Sequence, residues 1–298
     1  MTTFGFVGLG AMGRHMVSHM LGKGLDVVVF DSNEHAMSEL VSVGAHPARD
    51  ARDLANRAQV VMICLPTPAI VEAVAIGQDG LITGSNIKVF VDHSTTGPTV
   101  ARKLADAFAK REIVSLDAPL AGGVAGAKAG TLSVLVSGSS SGFERAKPAF
   151  DAFGRNVAHL GEQPGLGQTM KLVNNMIAGA ALVTAAEAVL FGVKAGIPAK
   201  TILDLLSKSA TARGFAVETL LGEKVLSRNF DFGFRMDLMR KDMRLALSEA
   251  EAVNSPMLAC SVVKQIFDSA IADGYDTEDM TKVVIQLEKL AHTEISDK

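Results

Sequence analysis

Glycines 8, 10 and 13 close a short apolar run, Phe4-Gly5-Phe6-Val7, and open a segment whose apolar residues Met12, Met16, Val17, Met20 and Leu21 recur at helical spacing. This order of strand, tight turn and helix constrains the chain more than any other feature. Gly8 permits the turn, Gly10 leaves room for close approach to the backbone, and Gly13 lets the helix pack on the sheet. Gly22 and Gly24 then offer a stop. A second apolar run, Val27-Val28-Val29-Phe30, ends in Asp31, eighteen residues after Gly13.

That context turns Gly8-Leu9-Gly10-Ala11-Met12-Gly13 into a dinucleotide site, with free N–H groups of the helix start facing a pyrophosphate. Asp31 suits the adenine-ribose hydroxyls and repels a phosphate there, and Ser32-Asn33-Glu34 supply no arginine to neutralise one. NAD is therefore expected in preference to NADP. Asp31 can also serve as a helix N-cap, a role equally open to Ser32 and Asn33.

Up to residue 162, apolar runs at 60–65, 89–92, 114–117 and 132–136 alternate with helical patterns, which predicts a doubly wound parallel sheet of the Rossmann-like type. After Gly161-Glu162-Gln163-Pro164-Gly165 the strand signals vanish. The 298 residues are thus expected to form an α/β domain over 1–162 and an all-α domain over 163–298. The apolar run 172–191 opens at Lys171 and is interrupted by Asn174, Asn175, Thr184 and Glu187, which predicts a long, largely buried helix rather than a membrane span. A net charge of -3 offers no general attraction to nucleic acid or acidic membranes. Cys64 and Cys260 lack metal or disulfide spacing, and His15 with His19 reads as a solvated helix face, so no metal site is expected. Met1-Thr2-Thr3 leads straight into the first strand with no room for a secretory signal, and a cytoplasmic location is expected.

Four further segments carry candidate chemistry. In the glycine-rich run 117–132, Gly122 and Gly123 can aim two N–H groups at one carboxylate, unless the run is only a connecting loop. Ser94 and Thr95, following the strand 89–92, face either a nicotinamide amide or substrate oxygen, or cap a helix beginning at Pro98. Leu65-Pro66-Thr67-Pro68 places backbone beside the cofactor or simply turns the chain. Lys171 and Asn175 share a helix face one turn apart. A lysine on so apolar a helix lines a wet pocket, where partial desolvation favours a proton-exchanging amine, or snorkels to solvent. By spacing alone, Lys241 and Asp242 form a solvated surface pair.

In these segments the chain resembles the β-hydroxyacid dehydrogenase family over essentially its full length. The resemblance rests on residues 8–13, on Asp117-Ala118-Pro119 through Gly130-Thr131-Leu132, on Gly167-Gln168-Thr169-Met170-Lys171-Leu172-Val173-Asn174-Asn175, and on Lys241-Asp242 followed by Leu245-Ala246. It implies hydride transfer between a nicotinamide cofactor and a small carboxylate-bearing substrate, a β-hydroxy acid of the 3-hydroxyisobutyrate or glycerate kind. It further implies that Lys171 is catalytic and Asn175 orients substrate. Leu65, Pro66, Thr95 and Lys241 would join Gly8, Leu9, Gly10, Ala11, Met12, Gly13 and Asp31 on the cofactor. Ala121, Gly122, Gly123 and Phe234 are assigned to substrate. In one departure, Ala121 stands where the family usually has serine. An imine reductase, which generally lacks a lysine at this place, and a non-catalytic NAD-binding sensor or scaffold are the alternatives. The apolar helical domain is expected to form a homodimer or homotetramer.

Overall fold

The computed structural model describes residues 2–297 and comprises two compact units that part between Lys171 and Leu172, later than the boundary read from the sequence at 162. The first unit is built on β1 Thr3–Val7, β2 Asp26–Phe30, β3 His46–Pro47, β4 Val60–Ile63, β5 Val89–Asp92, β6 Val114–Asp117, β7 Leu120–Ala121, β8 Leu132–Gly138 and β9 Gly154–His159. The sheet order is β3-β2-β1-β4-β5-β6-β8-β7, with β9 paired to β8. Strands β1 to β6 are parallel. The winding reverses between β1 and β4, the place where open α/β sheets bind ligands beyond their strand ends.

Side-chain alternation explains why these strands are apolar throughout. Phe4, Phe6, Val27, Val29, Val60, Met62, Val89 and Val91 enter one core, while Val7, Val28, Val61, Ile63 and Phe90 enter another. A strand covered by helices on both faces has no solvent side to keep polar. The expectation of a uniformly parallel sheet fails at β8, which runs antiparallel to β6 and β7. The chain leaving β6 is spent in β7 and the short helix Gly123–Ala129, so it makes no crossover back to the starting edge. Gly130, at φ +66°, ends that helix and leads directly into β8. Strand β9 is an exposed edge whose polar Arg155 and Asn156 carry no core pattern.

The second unit is helical, and among its described residues extended pairing is confined to an isolated bridge between Arg235 and Asp279. Helix Leu166–Lys194 meets helix Met236–Ala252 at Gly179, where a Cβ would collide with the Met239 and Met243 side chains. Two expectations about this long helix are corrected. It begins at Leu166, so Lys171 lies in its second turn rather than at its opening. Only 39% of its most apolar window is buried. Val173, Ile177 and Phe191 are 45%, 65% and 78% exposed, and they share a stripe with Ala181, Thr184 and Ala188 at spacings of three and four.

Gly13 shows how tightly the turn after β1 is closed, since a Cβ there would strike the Gly8 carbonyl oxygen and the Phe6 ring. Gly13→Ala is expected to cost about 1–3 kcal/mol of stability, read as a lowered midpoint in urea denaturation.

Candidate functional site

Beyond the C-terminal end of β1, a cavity of about 340 Å³ is lined by Leu9, Gly10, Ala11, Arg14, Asp31 and Asn33 among others. Nothing lies within 4 Å of where a Gly10 Cβ would stand, so the backbone is open to a phosphate there. Met12 occupies the N-cap position of helix Gly13–Gly22. The Leu9 N–H donates to Asp31 Oδ2 (2.6 Å) and the Asn33 N–H donates to Oδ1 (2.8 Å). Each oxygen keeps a lone pair for a ribose hydroxyl, and the residues fit a dinucleotide. The helix-cap role falls to Asn33, whose Oδ1 accepts from His35 and Ala36 N–H groups. Arg14 brings to this cavity a cation that residues 32–34 do not hint at.

At the ends of β5 and β6, Asp92 and Asp117 are register partners and both are buried. Asp92 accepts from the Ser94 N–H (2.8 Å) and the Thr96 hydroxyl (3.1 Å). Asp117 accepts from the Ser137 hydroxyl (2.7 Å), the Gly165 N–H (2.8 Å) and the Gln168 N–H (2.9 Å). The Gly167 N–H donates to Ser137 Oγ at 2.9 Å. The first turn of the long helix is therefore capped by groups from β6 and β8, which is why residues 163–171 belong to the first unit. Gly167 has no room for a side chain, because a Cβ would collide with the Leu135 carbonyl and approach Asp117.

Gln168, fully buried, completes this edge. Its Oε1 accepts from the Thr96 N–H (2.9 Å) and the Gly97 N–H (3.1 Å), and its Nε2 donates to the Ser94 carbonyl (2.8 Å). Gly97, which has no side chain to offer, holds the N-cap position of helix Pro98–Ala109, so that position falls to neither Ser94 nor Thr95. Ser94 Oγ instead accepts from the Leu65 N–H (2.9 Å), joining two of the cofactor candidates' segments. Pro66 follows Leu65, and Thr67 Oγ1 caps the next helix by accepting from the Ile70 N–H. Asp92 and Ser137 carry no motif, and the runs that contain Asp117 and Gln168 assign no role to either residue. The available signal is an acid ending each of two largely apolar strands, which demands buried donors.

In the glycine run, Gly122 and Gly123 have φ of +122° and +60°, backbone that side chains resist. Ala121 pairs across β7 and β8 with Ser133. His19 is not on a solvated face, since its Nε2 lies 3.1 Å from the Ala127 and Lys128 carbonyl oxygens. Those contacts tie helix Gly13–Gly22 to helix Gly123–Ala129.

Lys171 is half-buried, one turn before the buried Asn175 on the same helix. In the second unit, Asn175 Nδ2 donates to Asp242 Oδ2 (2.6 Å), and Asn174 Nδ2 donates to Asn175 Oδ1 (3.0 Å). Lys241 and Asp242 are not a surface pair. Asp242 is 1% exposed, with the Lys241 ammonium 3.2 Å from its Oδ1. Phe234 is half-buried on the core of the second unit, its N–H donating to Asp279 Oδ2.

Known proteins share this layout. A model of the NAD binding domain of 6-phosphogluconate dehydrogenase matches residues 3–161, and one described as NAD-binding of NADP-dependent 3-hydroxyisobutyrate dehydrogenase matches residues 165–287. The 3-hydroxyisobutyrate dehydrogenase of Pseudomonas aeruginosa is 37% identical over 90% of this chain and 91% of its own. The NAD-dependent L-serine dehydrogenase of the same organism is 36% identical over 95% and 97%. A solved structure of the Mycobacterium tuberculosis 3-hydroxyisobutyrate dehydrogenase with L-serine has a TM-score of 0.86 at 30% identity, covering 96% of this chain and 99% of that one. An imine reductase of Streptomyces aurantiacus, 20% identical with a TM-score of 0.64 over 96% and 99%, shares the fold.

The buried edge also titrates unusually. His93 places Nδ1 2.7 Å from the Ala118 carbonyl, and its Nε2 is buried without a hydrogen-bond partner among Phe6, Phe150 and Phe153. Burial drives its pKa down to about 4, the Ala118 bond opposing. Burial also pushes Asp92 up to about 6, against the hydrogen bonds from Ser94 and Thr96. The two act in opposite senses. As pH falls from 6.5 to 4, the unfolded chain protonates its histidine while folded His93 stays neutral, so stability is lost. Folded Asp92 holds its proton to higher pH than the unfolded chain, so its share of stability is lost as pH rises from 3.8 to 6. His93→Gln removes the first effect. The stability of wild type relative to that variant is expected to fall by about 3 kcal/mol between pH 7 and pH 4, measured by denaturant titration at each pH.

Proposed function

The chain belongs to the β-hydroxyacid dehydrogenase family, and from that premise we propose that it oxidises a small β-hydroxy acid to its semialdehyde with NAD, using Lys171 as the acid–base group. That it is a hydroxyacid dehydrogenase with NAD(P)-binding domains follows from its relatives. The observation that carries the finer reading is the double use of Asp117. Strand β6 runs through this residue into the glycine run, and the same carboxylate takes the N–H groups of Gly165 and Gln168 at the start of Lys171's helix. Carboxylate cradle and amine thus hang from one buried group.

Bound NAD supplies the hydride acceptor. The Gly122 and Gly123 N–H groups hold the substrate carboxylate, and Lys171 Nζ receives the hydroxyl proton as the carbon gives up its hydride and becomes a carbonyl. In the reverse direction the Lys171 ammonium returns that proton to the carbonyl oxygen. Asn175, held by Asp242, orients the substrate, and Lys241 serves the cofactor. With Ala121 in place of the usual serine, recognition leans on backbone donors.

Asp31 favours NAD, in keeping with the cofactor named for the serine dehydrogenase relative. The exposed stripe from Val173 to Phe191 supports a homodimer or homotetramer.

A panel of hydroxy acids, semialdehydes and one cyclic imine, run with both cofactors, tests the reaction class. Activity on the imine alone would reverse the assignment. Lys171→Ala is expected to lower kcat by about 10²-fold or more while NADH binding, followed by fluorescence, is retained. Undiminished turnover would remove Lys171 from the chemistry. Asp31→Ser is expected to shift the ratio of kcat/KM for NAD over NADP by about tenfold toward NADP, the scale of one lost charge-assisted hydrogen bond.

A further inference from the structure

We infer that Gln168 is a positioning residue that locks the 94–97 loop to the helix carrying Lys171, and so sets the distance between the cofactor side and the proton-exchanging side of the reaction. The inference rests on Lys171 and Thr95 having the roles proposed above, but its geometry stands without them. All three side-chain hydrogen bonds of Gln168 go to one four-residue loop, two accepted and one donated. The side chain is 0% exposed and three residues before Lys171, so the two share a helix face.

The loop is gripped from its other side as well. Asp92 takes the Ser94 N–H and the Thr96 hydroxyl, and Ser94 Oγ takes the Leu65 N–H. Between residues 91 and 98, Thr95 alone is not buried. Its neighbours are buried with these bonds, and Thr95 stands half-buried between them. A side chain that merely filled space would need no such polarity match. Gln168 meets two donors and one acceptor with an amide in a single orientation, which neither a carboxylate nor an alkyl chain reproduces. Loosening it leaves three buried backbone groups unpaired and frees the loop to shift relative to Lys171's helix. A misplacement of about 1 Å is enough to slow a reaction by about 10²-fold.

Two substitutions in the full-length protein test this. Gln168→Met keeps the length and removes all three bonds. In the cofactor-free protein, amide hydrogen exchange is expected to accelerate at Thr96 and Gly97 by at least about tenfold while strands β1 and β4 stay protected. With substrate, kcat is expected to fall by at least about tenfold, with KM for the acid and the NADH dissociation constant within about threefold of wild type.

Gln168→Glu gives a readout that simple loss of structure would not. Its protonated carboxyl can accept from Thr96 and Gly97 and donate to Ser94, whereas its carboxylate presents an oxygen to the Ser94 carbonyl. Asp92 and Asp117 face the same space and oppose its ionisation. The ratio of its kcat to that of wild type is therefore expected to rise as pH falls from 9 to 6. A pH-independent ratio, or unchanged exchange at Thr96 and Gly97, overturns the inference. If Gln168→Met does not fold, the Gln168→Glu ratio decides. If Lys171→Ala retains full turnover, the functional reading has failed instead, and the exchange measurement alone judges the clamp.

Discussion

Two carboxylates side by side in a closed interior impose the order seen at the working edge of the sheet. Asp92 and Asp117 sit at paired positions of β5 and β6, where desolvation opposes charge on both and the neighbouring Asp117 opposes it further on Asp92. They are tolerable there only if donors surround them, since a buried charged group left unsatisfied costs several kcal/mol, roughly the whole margin of stability for some domains. The donors are drawn from the segments that matter. The 94–97 loop folds inward onto Asp92, and the start of the Lys171 helix is pulled onto Asp117. Polar satisfaction, rather than apolar packing, sets where these segments stop.

Glycine makes the close approach possible. Gly167 lies against the Leu135 carbonyl and Asp117, Gly165 against Pro98, and Gly13 against the Gly8 carbonyl. At each of these points a helix start meets a strand, a turn or another helix start without a side chain between. The same economy of side chains at Gly122 and Gly123 leaves two backbone donors where a carboxylate is proposed to bind. Geometry of this kind is rigid because backbone, unlike a lysine or arginine head group, has few alternative positions once both its neighbours are bonded.

Much of the architecture was legible because it depends on short stretches of chain. The glycines at 8, 10 and 13, the apolar strands and the acid at 31 follow from local backbone needs and from two-sided burial. Asn33 as the cap of its helix was one of the options open on sequence. Other features were misread for an identifiable reason. The run 132–136 has the same apolar pattern whichever way the strand points, so its antiparallel course at β8 could not be read from it. His19 and Asp242 looked solvated because charge and spacing describe a helix face without saying what covers it. The long helix looked buried because a run so apolar normally faces a core, whereas its Val173-to-Phe191 stripe is exposed.

The sequence by itself determined that β1, the glycine turn and its helix would form and that an acid would stand at the end of β2. Those outcomes rest on φ preferences, hydrophobic period and hydrogen bonds between residues close in the chain. Only the tertiary structure decided that Gln168 reaches Ser94, Thr96 and Gly97, and that Asp117 caps a helix beginning nearly fifty residues later. Such bonds join groups far apart in sequence. Their partners are selected by which strand ends become neighbours in the sheet and by where a missing Cβ lets two backbones meet, and neither is written in any local pattern of residues.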